Sequence, residues 1–262
     1  MTDGQRRTDG PAEAGRRVTV VTGGSRGIGA AVARRLARAG HDIGIGYEQA
    51  ADAAEETAAA VRAEGRRAVT VRLDTSEEEQ VDVLFRTVRE ELGPVTGLVN
   101  NAGVTGPLGR FTETATTHLR RVVDVNVLGT LLCARRALRE MSTAHGGSGG
   151  GMVNISSCAA TLGAPGEYVH YAASKAAVDA MTVGLAKEFG PEGVRVNSVQ
   201  PGSVLTDMHA AMGEPDRAWR KAEGTPVRRP GTPEEIADAV GWLMSDEASF
   251  TTGAVLRVGG GL

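Results

Sequence analysis

The sequence predicts an α/β protein built on a parallel, doubly wound sheet of about seven strands, with helices on both faces. Three observations predict it. Short apolar runs recur along the chain, stretches of helical length fill the intervals between them, and glycine closes one interval after another. The strand-like runs fall at 18–22, 43–47, 68–73, 97–100, 152–156, 194–199 and 254–258. Helical stretches at 27–39 and 50–64 end at Gly40 and Gly65. A third, 76–92, opens on Ser76 and Glu79 at capping-box spacing and stops at Gly93. Two long helical stretches follow at 112–141 and 168–189, and a helix opens at Thr232. The 146–151 run, glycine with one serine, reads as a flexible surface link because no helix start follows it. Right-handed crossovers put the ligand crevice at the C-terminal ends of the strands.

Composition narrows the function classes. A chain of 262 residues with 41% hydrophobic content supports a sizeable core, and 16–262 is expected to form one domain. A net charge of −3 and a pI near 6.0 carry no basic excess, which speaks against nucleic acid or an anionic membrane as partner. Cys133 and Cys158 are too few for a disulfide framework, so free thiols and a cytoplasmic location are expected. Cys158 adjoins Ser157 but reads as a small buried residue without a chemical role. Residues 1–15 are polar, with no signal-like apolar stretch, and are expected to form a disordered extension. No run approaches 18 apolar residues. His118, His145, His170 and His209 show no ligand spacing, so no metal is expected.

Chemistry-bearing residues gather at the strand ends. Tyr171 and Lys175 stand four apart on a helix, about 6 Å along its axis, so both share one face. The ammonium is expected to favour phenolate and lower the tyrosine pKa. Ser157 lies fourteen residues before Tyr171 at the end of an apolar run, where its hydroxyl can hold a carbonyl or alcohol oxygen while Tyr171 moves the proton. Tyr168 is a rival to Tyr171, but the residue four beyond it is Ala172 and not a cation. After the first strand comes Thr22-Gly23-Gly24-Ser25-Arg26-Gly27-Ile28-Gly29, whose glycines let backbone approach a pyrophosphate and aim a helix N-terminus at its charge. This spacing departs from G-x-G-x-x-G, and by itself it could be a tight connection only.

Taken together with Asn100-Asn101-Ala102-Gly103, with Asn126 in Asp124-Val125-Asn126-Val127, and with Pro201-Gly202-Ser203-Val204-Leu205-Thr206, these segments resemble the short-chain dehydrogenase/reductase family over residues 17–260. The resemblance is closest to the branch of 3-oxoacyl-carrier-protein reductases and glucose or sugar dehydrogenases. It implies a Rossmann-type fold and a catalytic set of Asn126, Ser157, Tyr171 and Lys175. The family's motif puts the second serine, Ser157 rather than Ser156, in the catalytic place. By resemblance Lys175 also bonds the nicotinamide ribose, Asn126 holds a water in a proton relay, and Asp74 takes the adenine amino group. The residues so marked as cofactor-binding are Gly23, Ser25, Arg26, Gly27, Ile28, Gly29, Tyr47, Asp74, Thr75, Asn101, Ala102, Gly103, Tyr171, Lys175, Pro201, Gly202, Val204 and Thr206.

The expected cofactor is NADP(H), with NAD(H) possible. An NAD site usually has an acid at the end of the second strand, and Tyr47 stands there, while Arg26 can meet a 2′-phosphate. Glu48 follows at once and would reverse that preference if it turned inward. The expected reaction interconverts a ketone and a secondary alcohol. Open alternatives are a catalytically silent dinucleotide-binding regulator, an NAD-dependent sugar dehydrogenase, and an epimerase or dehydratase on the same fold. Residues 207–230, with Met208, Met212 and Trp219 among charges, are expected to form a substrate lid. The resemblance implies a homotetramer. Apolar residues over more than one helix face agree with it: Val122, Val123, Val127, Leu131 and Leu132, then Val178, Met181, Val183 and Leu185.

Overall fold

A computed structural model describes residues 16–262. The extension expected at 1–15 lies outside them, as does the side chain of His209. In chain order the elements are β1 (Arg17–Thr22), α1 (Gly27–Arg38), β2 (His41–Tyr47), α2 (Ala51–Ala63), β3 (Ala68–Arg72), α3 (Glu78–Leu92) and β4 (Gly97–Asn100). There follow α4 (Thr116–Val123), α5 (Thr130–Met141), β5 (Gly150–Ile155), α6 (Ala159–Leu162), α7 (Val169–Phe189) and β6 (Val194–Pro201). Last come α8 (Asp207–Ala211), α9 (Arg217–Ala222), α10 (Pro233–Leu243) and β7 (Val255–Val258).

The seven strands form one sheet in the order β3-β2-β1-β4-β5-β6-β7, and every pair is parallel. The order reverses between β1 and β4, the switch point at which such sheets open a crevice. Alternation along the strands supplies two cores. Val21, Val99 and Val153 face α1, α2 and α10, whereas Val20, Leu98 and Met152 face α3 and α5. The Ile43-Gly44-Ile45-Gly46 pattern follows from this division. Ile43 and Ile45 fill the first core, and the glycines let α3 come close: a Cβ on Gly44 would lie 2.4 Å from Val88 Cγ2. At α10, Thr232 and Glu235 form a full capping box with Pro233 in the first turn.

Three local expectations are corrected. The Ser76/Glu79 capping box does not form. Asp74 captures Ser76 first, its Oδ1 accepting both the Ser76 N–H at 2.9 Å and the Ser76 hydroxyl at 2.6 Å, and α3 starts only at Glu78. The helix expected over 112–141 starts only at Thr116 and is not α-helical throughout, because a π-helical segment, Asp124–Gly129, runs between α4 and α5 without interrupting the helix. Gly129 in this segment lets Thr75 approach; a Cβ there would lie 2.6 Å from Thr75 Oγ1. Finally, 146–151 is no flexible link. Gly149 N–H donates to Met141 O at 2.8 Å, a Cβ on Gly147 would lie 2.3 Å from Glu140 O, and Gly150 and Gly151 already belong to β5. These glycines serve close backbone approach.

Candidate active site

A cavity of about 630 Å³ runs along the C-terminal edge of the sheet, from the turn after β1 to the loop after β6. Its floor is the glycine turn. Gly23 (φ +63°) and Gly27 (φ +55°) hold conformations that side chains disfavour, and a Cβ on Gly23 would come within 3.0 Å of Ala102 Cα. Arg26 puts no side-chain cap on the N-terminus of α1, and Gly27 and Ile28 of its first turn line this hollow. Asn101 stitches the β4 end to this turn, its Nδ2 donating to Thr22 O at 3.0 Å and Gly23 O at 2.9 Å. The cradle therefore fits a pyrophosphate, with backbone held near and negative charge welcomed.

At the other end the proton-handling groups meet. The Ser157 hydroxyl lies beside the Tyr171 hydroxyl, close enough to act on its proton, and Ser157 Oγ accepts the Ala159 N–H at 3.1 Å. Lys175 Nζ lies 5.8 Å from the centre of the Tyr171 ring and donates to Ile155 O at 2.7 Å. Ser156 turns away, its hydroxyl donating to Lys175 O at 3.0 Å and fixing α7 to the end of β5. A Cβ on Gly103 would lie 3.4 Å from Lys175 Nζ and 3.3 Å from Asn126 Oδ1, so the backbone of this loop passes close to both side chains.

The electrostatics differ from the sequence reading. Burial raises the Tyr171 pKa above the ordinary phenol value, only partly offset by the Ser157 hydrogen bond. Burial likewise brings Lys175 down to about 8. The expected lowering of the Tyr171 pKa is thus overruled by desolvation.

Asn126 is fully buried in the π segment and grips the loop after β4. Its Oδ1 accepts the Val104 N–H at 2.8 Å, while Nδ2 donates to Val104 O at 2.8 Å and to Ser174 Oγ at 2.9 Å. Both amide N–H groups are therefore spent on protein, so a relay water would be held by an Asn126 oxygen as acceptor.

Of the residues marked as cofactor-binding, all line this cavity except Gly29. Gly29 is needed for packing instead, since a Cβ there would lie 2.3 Å from Gly23 O. Three features escaped the sequence. Arg121, from α4, reaches the adenosine end and bonds both Asp74 and Glu48. His170, beside Tyr171, pins the loop after β4 by donating from Nε2 to Thr105 O at 2.9 Å, while its buried Nδ1 has no partner among the described residues. Tyr168 lines the cavity, edge-on to Tyr171 at 5.1 Å between ring centres. The Arg121 and His170 contacts carry no motif, because each joins distant stretches of chain.

A parallel sheet with this strand order and a glycine cradle at its switch point defines a Rossmann-type dinucleotide-binding protein. A family profile described as enoyl-(acyl carrier protein) reductase matches residues 23–262. The Escherichia coli (strain K12) oxidoreductase YgfF is 43% identical over 244 residues, covering 93% of this chain and 99% of that protein. Glucose 1-dehydrogenase 2 of Bacillus subtilis (strain 168) is 35% identical, covering 94% of each. The solved structure of a short-chain dehydrogenase from Burkholderia cenocepacia J2315 in complex with NADP is 35% identical, with a TM-score of 0.86 over 94% of this chain and 97% of that one. The chain belongs to the short-chain dehydrogenase/reductase family. It is an oxidoreductase acting on CH–OH groups with a nicotinamide dinucleotide.

Proposed function

We propose that this protein uses NADP(H) to interconvert an uncharged ketone and the corresponding secondary alcohol. The observation that carries the reading is the Ser157–Tyr171 hydroxyl pair, with the Lys175 ammonium beside it, opening into the same cavity as the glycine cradle. A bound nicotinamide would supply hydride transfer to or from the substrate carbon. In reduction, Ser157 holds the substrate oxygen and Tyr171 gives up its proton to it. Lys175 stabilises the negative charge left on Tyr171. Asn126 acts by fixing Val104 and Ser174, which hold the cavity wall and the turn of α7 that carries Tyr171.

Val104, Tyr168, Met208 and Met212 are among the residues that line the cavity, which supports an apolar carbonyl substrate over a charged one. Met208 and Met212 belong to the stretch 207–230, which we assign as the lid. Val123, Leu128 and Leu131 stay exposed on the α4–α5 stretch, in keeping with a homotetramer. Val122, Leu132 and Val178 are already buried within the chain and do not bear on that reading. The buried free thiols of Cys133 and Cys158 suit a reducing compartment such as the cytoplasm.

The test is NADPH and NADH oxidation, followed by absorbance, with cyclic and linear ketones and with charged keto acids. Turnover of uncharged ketones with NADPH supports the reading. Silence across all of them leaves the dinucleotide-binding regulator, and a preference for NADH overturns the cofactor assignment. Light scattering at micromolar concentration checks the assembly, since a mass near 27.1 kDa would rule out the oligomer.

A further inference from the structure

The adenosine end of the cavity holds a contradiction in charge. An acid at the end of the second strand of such folds grips a ribose 2′-hydroxyl and repels a 2′-phosphate. Glu48 directly follows β2 and lines the cavity. Its carboxylate is nevertheless engaged: Oε1 accepts from Arg121 Nη2 at 3.0 Å. The same guanidinium donates from Nη1 to Asp74 Oδ2 at 2.6 Å and to Ser76 Oγ at 3.3 Å. The Glu48 backbone is fixed too, because Arg72 Nε donates to its carbonyl at 3.0 Å. Arg26 enters from the glycine turn and lies 3.9 Å from a different acid, Asp207.

We propose that Arg121 determines nucleotide selectivity by drawing the Glu48 carboxylate toward α4 and away from the place of a ribose 2′-phosphate. This inference rests on the NADP(H) reading. A single exposed ion pair would hold a glutamate weakly. Arg121, however, is anchored on a second carboxylate and a hydroxyl, and burial of Asp74, which would raise its pKa, is outweighed by the hydrogen bonds from Ser76 and Arg121. One planar cation thus orients two acids at once. Without it, both carboxylates would face an incoming phosphate, and Arg26 would be the arginine left among the described residues that line the cavity.

Calorimetric binding of adenosine 2′,5′-bisphosphate and of 5′-AMP separates the 2′-phosphate from the rest of the nucleotide. Arg121→Met should weaken the bisphosphate about tenfold or more, a loss of about 1.4 kcal/mol or more, and change 5′-AMP far less. Glu48→Gln combined with Arg121→Met should recover most of that loss, because the released carboxylate is gone. Equal losses for both nucleotides, or no recovery in the double variant, would overturn the proposal. Arg121→Lys, which keeps the charge but not the fork, should fall between the wild type and Arg121→Met. If the wild type binds 5′-AMP as tightly as the bisphosphate, the NADP(H) assignment fails by itself. Restraint of Glu48 by Arg121 is then still decided by whether the bisphosphate-to-AMP ratio falls in Arg121→Met and recovers in the double variant.

Discussion

Tyr171 and Lys175 are two buried titratable groups whose environment opposes their charge. Burial raises the Tyr171 pKa, yet its hydroxyl is the group placed to pass a proton to substrate, so Tyr171→Phe should abolish nearly all turnover yet leave dinucleotide binding by calorimetry close to wild type. Tyr168→Phe, which removes a hydroxyl bonded to Arg217, should be much milder. Retained turnover in Tyr171→Phe would remove that residue from the chemistry. Lys175 makes a stability statement as well. Its folded pKa of about 8 lies below its ordinary 10.5, so the unfolded chain binds more protons between these values. Stability linked to this group therefore rises as pH climbs from 8 to 10.5, and below 8 the buried charge costs about 3 kcal/mol. Lys175→Met should relieve that cost while orphaning the Ile155 carbonyl, at about 1–2 kcal/mol. The variant should be inactive but about 1–2 kcal/mol more stable at pH 7 in denaturant unfolding, with the gain gone above pH 10. A less stable Lys175→Met at pH 7 would contradict this account.

Among the elements, α9 shows how the 207–230 stretch is held against the site. The Arg217 side chain is 3% exposed and grips Glu167 through both nitrogens, with Nη2 to Oε2 at 2.5 Å. It also donates to Tyr168 Oη at 3.0 Å, with its guanidinium 5.1 Å from the centre of that ring. Lys221 on the same helix pairs with Glu167 at 2.5 Å. Burial would raise the Glu167 pKa, but Arg217 and Lys221 together hold it below the usual carboxylate range. Breaking one side of such a pair costs about 2–3 kcal/mol when a second cation remains. That cost falls on the docking of α9 rather than on the sheet. Arg217→Met should speed tryptic cleavage at Arg220 and Lys221 about tenfold or more and raise the ketone KM more than it lowers kcat. An unchanged cleavage rate would show that Arg217 does not hold this element.

The molecule as a whole carries an acid-sensitive spot at the edge of the sheet opposite the cavity, where β2 begins. His41 is buried, bonded through Nδ1 to Thr19 Oγ1 at 2.8 Å, and burial together with nearby Arg17, Arg66 and Arg35 brings its pKa down to about 4. Asp42 beside it is fully buried. Burial would raise its pKa, but hydrogen bonds from Arg67 and Arg16 outweigh this and lower it. For His41 the unfolded chain binds a proton from pH 6.5 downward, whereas the folded chain does so only near 4. Stability should therefore fall by about 3 kcal/mol across that window from this residue alone. His41→Gln should flatten the loss between pH 6.5 and 4 in denaturant unfolding, leaving the part due to the carboxylates at lower pH. An unaltered pH profile in that variant would remove His41 as the cause.

Local patterns in the sequence determined the strands, most helices and the order of the chain, because strand alternation, helical spacing and glycine stops depend on neighbours a few residues apart. The same patterns, read with a family resemblance, marked residues that do line one cavity, since strand ends must share an edge in a parallel sheet. Tertiary structure decided the rest. Desolvation, not the helix neighbour four residues away, sets the direction in which the Tyr171 pKa shifts. The π segment at Asn126 widens one turn inside a continuous helix, and the glycines of 146–151 answer to backbones remote in sequence. Arg121 reaches Glu48 from 73 residues away and Arg217 reaches Glu167 from 50. Burial and long-range charge pairing are properties of the packed chain, and no local pattern of residues encodes them.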